Sequence, residues 1–465
     1  MEKLKKVSAY KLASLLRLQQ DPKLALQLFL NPNPPDPSPK PFQHSPKSYD
    51  VILTKLGRAK LFDEMETVLH HLKQETHIAP KEIIFCNVIT YYARARLPDN
   101  ALQTFHRIPT FRCRRTVKSF NTMLNALLIC KEFEKLKEFF LDLENYACPD
   151  ACTYNVMINA CCLCGDVGYA RKMFDEMLIK GIEPNGVTFG TLVNGLCANS
   201  MLEEACRLKD DMVRVYRVKP DGFIYVSLIK GLCRVNEVDL ALKLKEEMLE
   251  SKVEMDSAVY STLISALFKV GRRGEVSSML EEMKRNGCKP NTITYNAIIF
   301  GLCNEKDFDS AFGVLNEMEV SECKPDVISY NVIIGALCRE GKLREANDLF
   351  EDMPRRRCAP DVVSYRTLLD GLSDGMQFKE AALILDEMLF KGYVPRAVSI
   401  NNYVAGLLRE GETSLLWTVL DSLAGGNCID IDTWRMVVSM VSDKDKLPKP
   451  CEFVDALIME QNDGS

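Results

Sequence analysis

Histidine is scarce in this 465-residue chain, and its placement excludes more than its number does. The five are His44, His70, His71, His77 and His106, with none after that point. A Ser-His-Asp triad, a His-x-Glu zinc deaminase site or a histidine-rich metal site therefore has no place in the C-terminal three quarters. No apolar run approaches the roughly 18 residues that a membrane helix requires, so no membrane partner is expected. A glycine-rich loop that would cradle phosphate is also missing. Lys and Arg number 59 against 64 Asp and Glu, a net charge of −5. That balance argues against a generic polyanion binder, whose affinity rests on cations neutralising phosphates. It leaves room for a selective one, because net charge does not say how charges divide between faces.

What is abundant is cysteine, 18 in all. In a chain of this length without a secretory signal peptide they read as free thiols of a reducing compartment. Cys288, Cys323 and Cys358 stand 35 residues apart, so they are repeat positions and not bridge partners.

The period behind those cysteines is plainest between Thr292 and Asp361. TITYNAIIFGLCNEKDFDSAFGVLNEMEVSECKPD is followed directly by VISYNVIIGALCREGKLREANDLFEDMPRRRCAPD, two units of 35 residues. An aromatic anchor recurs at Tyr49, Phe85, Phe120, Tyr154, Phe189, Tyr225, Tyr260, Tyr295, Tyr330 and Tyr365, continued by Ile400 and Trp434. A second track runs Ala170, Ala205, Ala241, Val276, Ala311, Ala346 and Ala381. A third runs Met177, Met212, Met248, Met283, Met318, Met353 and Met388. Repeats of this length cannot bury their own faces and must stack on their neighbours.

Within one unit the apolar positions fall at helical spacing, Tyr295, Ile298, Ile299 and Leu302, then Ala311, Val314, Leu315 and Met318. Each unit is thus two amphipathic helices. Gly165, Gly271 and Gly341 mark the turn between them, and a proline such as Pro290, Pro325 or Pro360 stops the second helix. The small, Met and aromatic tracks read as core between stacked units. The expected fold is all-α, an α-solenoid of about eleven helix-turn-helix repeats.

The frame divides the chain into repeats at 46–81, 82–116, 117–150, 151–185, 186–221, 222–256, 257–291, 292–326, 327–361, 362–396 and 397–430. Residues 431–465 keep part of the pattern and read as a C-terminal cap. Residues 31–45 are proline-rich and cannot be helical, which makes them a linker or insertion. Residues 1–30, basic and amphipathic at their start, fit either an organelle-targeting segment or a degenerate repeat.

The carriers VISYNVIIGALCREGKLREANDLFEDM (327 to 353), PDACTYNVMINA (149 to 160) and KPNTITYNAIIFGLC (289 to 303) make the chain resemble the plant pentatricopeptide repeat proteins. Uniform units near 35 residues resemble the family's pure (P) subclass. The resemblance implies a right-handed superhelix that binds single-stranded RNA in mitochondria or, alternatively, chloroplasts, one base per repeat. It implies transcript stabilisation, processing, splicing or translation as the setting, with protein cofactors of RNA processing as further partners. No catalysis, small-molecule substrate, cofactor or metal is expected.

By that resemblance each base is read by the residue after the aromatic together with the one closing the repeat. The pairs are Asn121 with Asp150, Asn155 with Asn185, Ser261 with Asn291, Asn296 with Asp326, Asn331 with Asp361, and Asn401 with Asp430. Asn offers both donors and acceptors to a base edge, and it is a poor helix-interior residue that something outside the helix must favour. The closing Asp or Asn has a second explanation as a helix N-cap. Two residues before the aromatic, Val187, Ile293, Ile328, Val363 and Val398 are implied to sandwich the base, with ordinary core packing as the alternative.

Asp50 with Lys81, Cys86 with Thr116, Gly190 with Asp221, Val226 with Asp256, and Arg366 with Arg396 form no defined pair. Read from Val117 onward, the implied RNA is U-Y-N-N-A-U-U-N-U. A protein-interaction scaffold on the same superhelix is the alternative function. Cys161 and Cys164 form an isolated Cys-x-x-Cys, but Cys197, Cys233, Cys303 and Cys338 hold the same helix end elsewhere, so packing is expected. The acidic pairs Asp175-Glu176 and Asp386-Glu387 read as a solvated outer face.

Overall fold

The computed structural model describes residues 8–32, 42–142, 148–321, 323–425 and 435. Among these there are 24 α-helices and no strand. They fall into two compact units, residues 1–235 and 236–465.

The first unit opens with α1 (Ala9–Leu18) and α2 (Pro22–Leu30), packed on α3 (Pro46–Arg58). The described part of the first thirty residues is therefore a helical hairpin, with Leu12, Leu16, Ala25 and Phe29 buried. There follow α4 (Phe62–Gln74), α5 (Glu82–Arg94) with α6 (Pro98–Arg107), α7 (Val117–Cys130) with α8 (Phe133–Leu141), α9 (Ala151–Leu163) with α10 (Val167–Ile179), α11 (Gly186–Ala198) with α12 (Leu202–Arg214), and α13 (Gly222–Arg234). The second unit starts at α14 (Val238–Glu250) and holds α15 (Ser257–Lys269) with α16 (Val276–Arg285), α17 (Thr292–Asn304) with α18 (Phe308–Val320), α19 (Val327–Arg339) with α20 (Leu343–Arg355), α21 (Val362–Asp374) with α22 (Phe378–Phe390), and α23 (Ala397–Glu410) with α24 (Thr413–Gly425).

In each unit the first helix of a hairpin lies against its own second helix and against the first helices of its neighbours, as α17 does with α18, α15 and α19. That arrangement is an α-solenoid of tandem hairpins. The aromatic anchors from Tyr49 to Tyr365 are all essentially buried, as are the Ala and Met tracks. Small residues six positions after the aromatic explain the close stacking. A Cβ on Gly195 would collide with Cys162, one on Gly371 with Cys338, and one on Gly301 with the Phe268 ring. The side chain two residues further along the preceding hairpin fills each hole, which is how ridges seat in grooves.

The turn between the two helices needs one left-handed residue. Gly165 (φ 80°) and Gly341 (φ 72°) supply it, but Ser200 (φ 61°), Lys306 (φ 61°) and Met376 (φ 58°) do so elsewhere at a steric cost. The proline-rich connection is more than a spacer. Its described end carries Phe42 and a buried His44 onto the core before Ser45 caps α3.

Candidate functional site

Each first helix from α5 onward begins at a closing residue of the frame. Asp150, Asn185, Asp221, Asp256, Asn291, Asp326 and Asp361 are all N-caps, each accepting a hydrogen bond from the N–H three residues on. The capping explanation therefore holds at every one of them. It is incomplete at three, where the same oxygen also receives the Asn of the preceding helix. Asn121 Nδ2 donates to Asp150 Oδ1 at 3.0 Å, Asn296 Nδ2 to Asp326 Oδ1 at 3.1 Å, and Asn331 Nδ2 to Asp361 Oδ1 at 3.4 Å.

A third side chain joins them, which the sequence reading overlooked. The Thr153 hydroxyl donates to Asn121 Oδ1 at 2.7 Å and its oxygen accepts the Asp150 N–H at 3.1 Å. The Ser329 hydroxyl does the same for Asn296 Oδ1 at 2.6 Å and the Asp326 N–H at 3.2 Å. Thr153, Thr188, Thr294, Ser329 and Ser364 are fully buried and complete capping boxes. The signal was available in sequence. A Ser or Thr immediately before the next aromatic follows all six defined pairs, whereas Ile84, Ile224 and Val259 follow three of the five undefined ones. At Asn121 and Asn296 a buried hydroxyl thus holds the Asn carbonyl while the amide is bound to the closing carboxylate.

Electrostatics agree with that wiring. Burial pushes the Asp150 and Asp361 carboxyls up, but the N–H groups they cap, the Asn amides and the adjacent hydroxyls outweigh it and hold both below the usual Asp value.

The remaining pairs are arranged differently. Asn155 Oδ1 and Asn331 Oδ1 are buried without a hydrogen bond. Ser261 donates to Ser257 O at 2.7 Å and Thr294 Oγ1 at 3.1 Å, and Asn291 Nδ2 donates to Ser257 Oγ at 2.8 Å, so this pair communicates through neighbours. Asn401 lies on α23, while its partner Asp430, the anchor Trp434 and nearly all of 431–465 fall outside the described residues.

Val187, Ile293, Ile328, Val363 and Val398 are 44% to 68% exposed. Ordinary core packing is thereby excluded for them: Val187 in the first unit, and Ile293, Ile328, Val363 and Val398 in the second, stand on the surface two positions before the residue at the aromatic register. Phe223, at the same register and exposed, was missed; its ring covers Gly190, whose absent Cβ leaves room for it. Also missed were the exposed lysines Lys219, Lys289 and Lys324, each two residues before a closing residue and signalled by the repeated Lys-Pro.

A model described as the PPR repeat family, for pentatricopeptide repeat, matches residues 115–163, 149–198, 187–234, 220–269, 255–304, 290–339 and 325–374 in overlapping segments, and a PPR repeat model matches 363–393. More than half of the chain is covered. The chain belongs to the pentatricopeptide repeat family.

Among curated pentatricopeptide repeat proteins, a putative one from Arabidopsis thaliana is 50% identical over 184 residues, 39% of this chain and 39% of that one. The Arabidopsis small ribosomal subunit protein mL103 is 28% identical over 212 residues, 45% of this chain and 50% of that one. A mitochondrial pentatricopeptide repeat-containing protein of Arabidopsis is 32% identical over 170 residues, 36% of this chain and 31% of that one. The matches thus span half or less of these relatives' lengths. Of solved structures, the maize pentatricopeptide repeat protein PPR10 is 20% identical with a TM-score of 0.43, covering 89% of this chain and 70% of that one.

Two features of this pentatricopeptide repeat chain correct or sharpen the sequence reading. Glu176 and Glu387 are more than a solvated face: the buried Tyr154 and Tyr365 hydroxyls donate to them at 2.9 and 2.6 Å across the hairpin. The Cys-x-x-Cys splits, with Cys161 buried and Cys164 exposed. Burial pushes the Cys161 thiol up to about 12 and those of Cys162 and Cys303 to about 11, so these are packing groups and not thiolates.

Proposed function

We propose that this protein is a sequence-selective single-stranded RNA-binding protein that acts without catalysis, reading one base per repeat. The supporting observation is the Asn–Asp pair, joined by a hydrogen bond at Asn121/Asp150, Asn296/Asp326 and Asn331/Asp361 and tied to a buried hydroxyl at the first two, with an exposed aliphatic residue two positions before the aromatic register in five repeats. Such a surface offers hydrogen bonds to a base edge and apolar faces to the base plane. The exposed Lys219, Lys289 and Lys324, each two residues before a closing residue, supply cations that phosphates can meet despite the acidic net charge.

The proposed site is U-Y-N-N-A-U-U-N-U from the repeat at 117–150 onward, with Ser261/Asn291, Asn296/Asp326 and Asn331/Asp361 reading its A-U-U. The setting is organellar RNA metabolism, in the mitochondrion by the names of several relatives, one of them the mitochondrial protein above. RNA is named as the bound partner of PPR10 in a further crystal structure, a complex with an 18-nt psaJ element.

Electrophoretic binding to the U-rich RNA tests this, comparing the natural chain with Asn296→Ser and Asn331→Ser together. The double variant should lose the preference for uracil at the last two positions of A-U-U. Unchanged binding and preference would favour a protein-interaction scaffold.

A further inference from the structure

The N-terminal hairpins carry a side-chain cluster that RNA reading does not use. His44 is 6% exposed, held where the proline-rich connection returns to the fold. Its ring stacks on Phe29 at 4.2 Å between centroids and meets Phe42 edge-on at 5.0 Å. Despite that burial, Nδ1 has no hydrogen-bond partner. A buried polar atom left unpaired is destabilising and calls for an explanation.

Opposite stand two residues at the end of α4. The His71 ring is 5.2 Å from that of His44 at 88°, and Glu75, the C-cap of α4, has its Oε2 buried and likewise without a hydrogen bond. The i,i+4 spacing sets His71 and Glu75 on one face. One ligand atom from each of His44, His71 and Glu75 lies within 4.8 Å of the others. Around this group Tyr49 OH is 2.6 Å from His71 Nδ1, and His77 Nε2 is 3.6 Å from Glu75 Oε2.

We propose that His44, His71 and Glu75 bind a divalent transition-metal ion, with zinc the best match to two imidazoles and a carboxylate. Zinc ligands at about 2.0–2.1 Å lie about 3.4 Å from one another in a tetrahedron. Rotations of the Glu75 side chain and the two rings close the remaining gap. The ion would fasten the connection before α3 to the far end of α4.

The test uses the full chain, stripped with a chelator, reloaded with Zn²⁺ and passed through gel filtration before metal analysis. Cobalt substitution separates this site from the many thiols, because a His–His–carboxylate site lacks thiolate charge-transfer absorption. Wild type should retain stoichiometric zinc, and zinc should raise its thermal midpoint. His44→Phe, which keeps the aromatic packing, and Glu75→Gln, which keeps the volume, should each weaken binding by roughly tenfold or more with unchanged circular dichroism. Failure of the wild type to retain zinc, a thiolate band in the cobalt form, or equally tight binding by His44→Phe would overturn the proposal and leave His44 as an aromatic plug.

Discussion

Asn296 Nδ2 and Asp326 Oδ1, thirty residues apart in the chain, are joined by a hydrogen bond of 3.1 Å, and that one oxygen also caps α19. Asp326→Asn keeps a competent cap but replaces an acceptor-only carboxylate with an amide. Stability should change by less than about 0.5 kcal/mol, within the range of ordinary surface substitutions. Base preference at that position should relax from uracil to either pyrimidine, read by selection from randomised RNA.

The buried hydroxyl behind that pair carries a different prediction. Ser329→Ala strips Asn296 Oδ1 of its donor and the Asp326 N–H of its acceptor. A loss of about 1 kcal/mol in urea unfolding is expected, because two half-buried groups each lose a hydrogen-bond partner. Ser329→Thr should be tolerated, since Thr153 and Thr294 fill the same position in other repeats.

Exposure makes these aliphatic side chains separable from folding. Ile328→Ser and Val363→Ser should each leave the thermal midpoint nearly unchanged. RNA affinity, measured by fluorescence anisotropy, should fall by about 1 kcal/mol per substitution, the low end of base-stacking energies. A loss of stability in place of affinity would return these residues to the core.

Acid should weaken the fold through the capping carboxylates. Asp150 and Asp361 have folded pKa values below the ordinary one. Their contribution is therefore present above the unfolded value of about 4 and is lost as pH falls below it. Asp150→Asn should flatten the slope of stability against pH in that range, as followed by thermal melts.

Gly301→Ala tests the stacking. The new methyl meets the Phe268 ring, and overpacking of this kind costs about 1–3 kcal/mol. Combining it with Phe268→Leu should recover part of the loss, and simple additivity of the two would argue against direct contact.

The hairpins, their frame and their buried tracks were legible because a stacked repeat needs only helical periodicity within a unit and recurrence between units. Both are properties of spacing along the chain. The same spacing named Asn296 and Asp326 but left their chemistry open between cap and reader. It also left Val187, Ile293, Ile328, Val363 and Val398 open between core and surface, and it gave no sign that Glu176 and Glu387 receive buried tyrosine hydroxyls. His44 and His71, 27 positions apart, gave no motif at all. What decided these points is the rotation of each helix against its neighbours. That rotation sets which side of a helix is covered, and it brings side chains 20 to 30 residues apart within hydrogen-bonding range. The sequence alone determined the repeating hairpins and their phase; the packing of one hairpin on the next decided which polar groups meet, which are sealed from water, and which are left facing a partner.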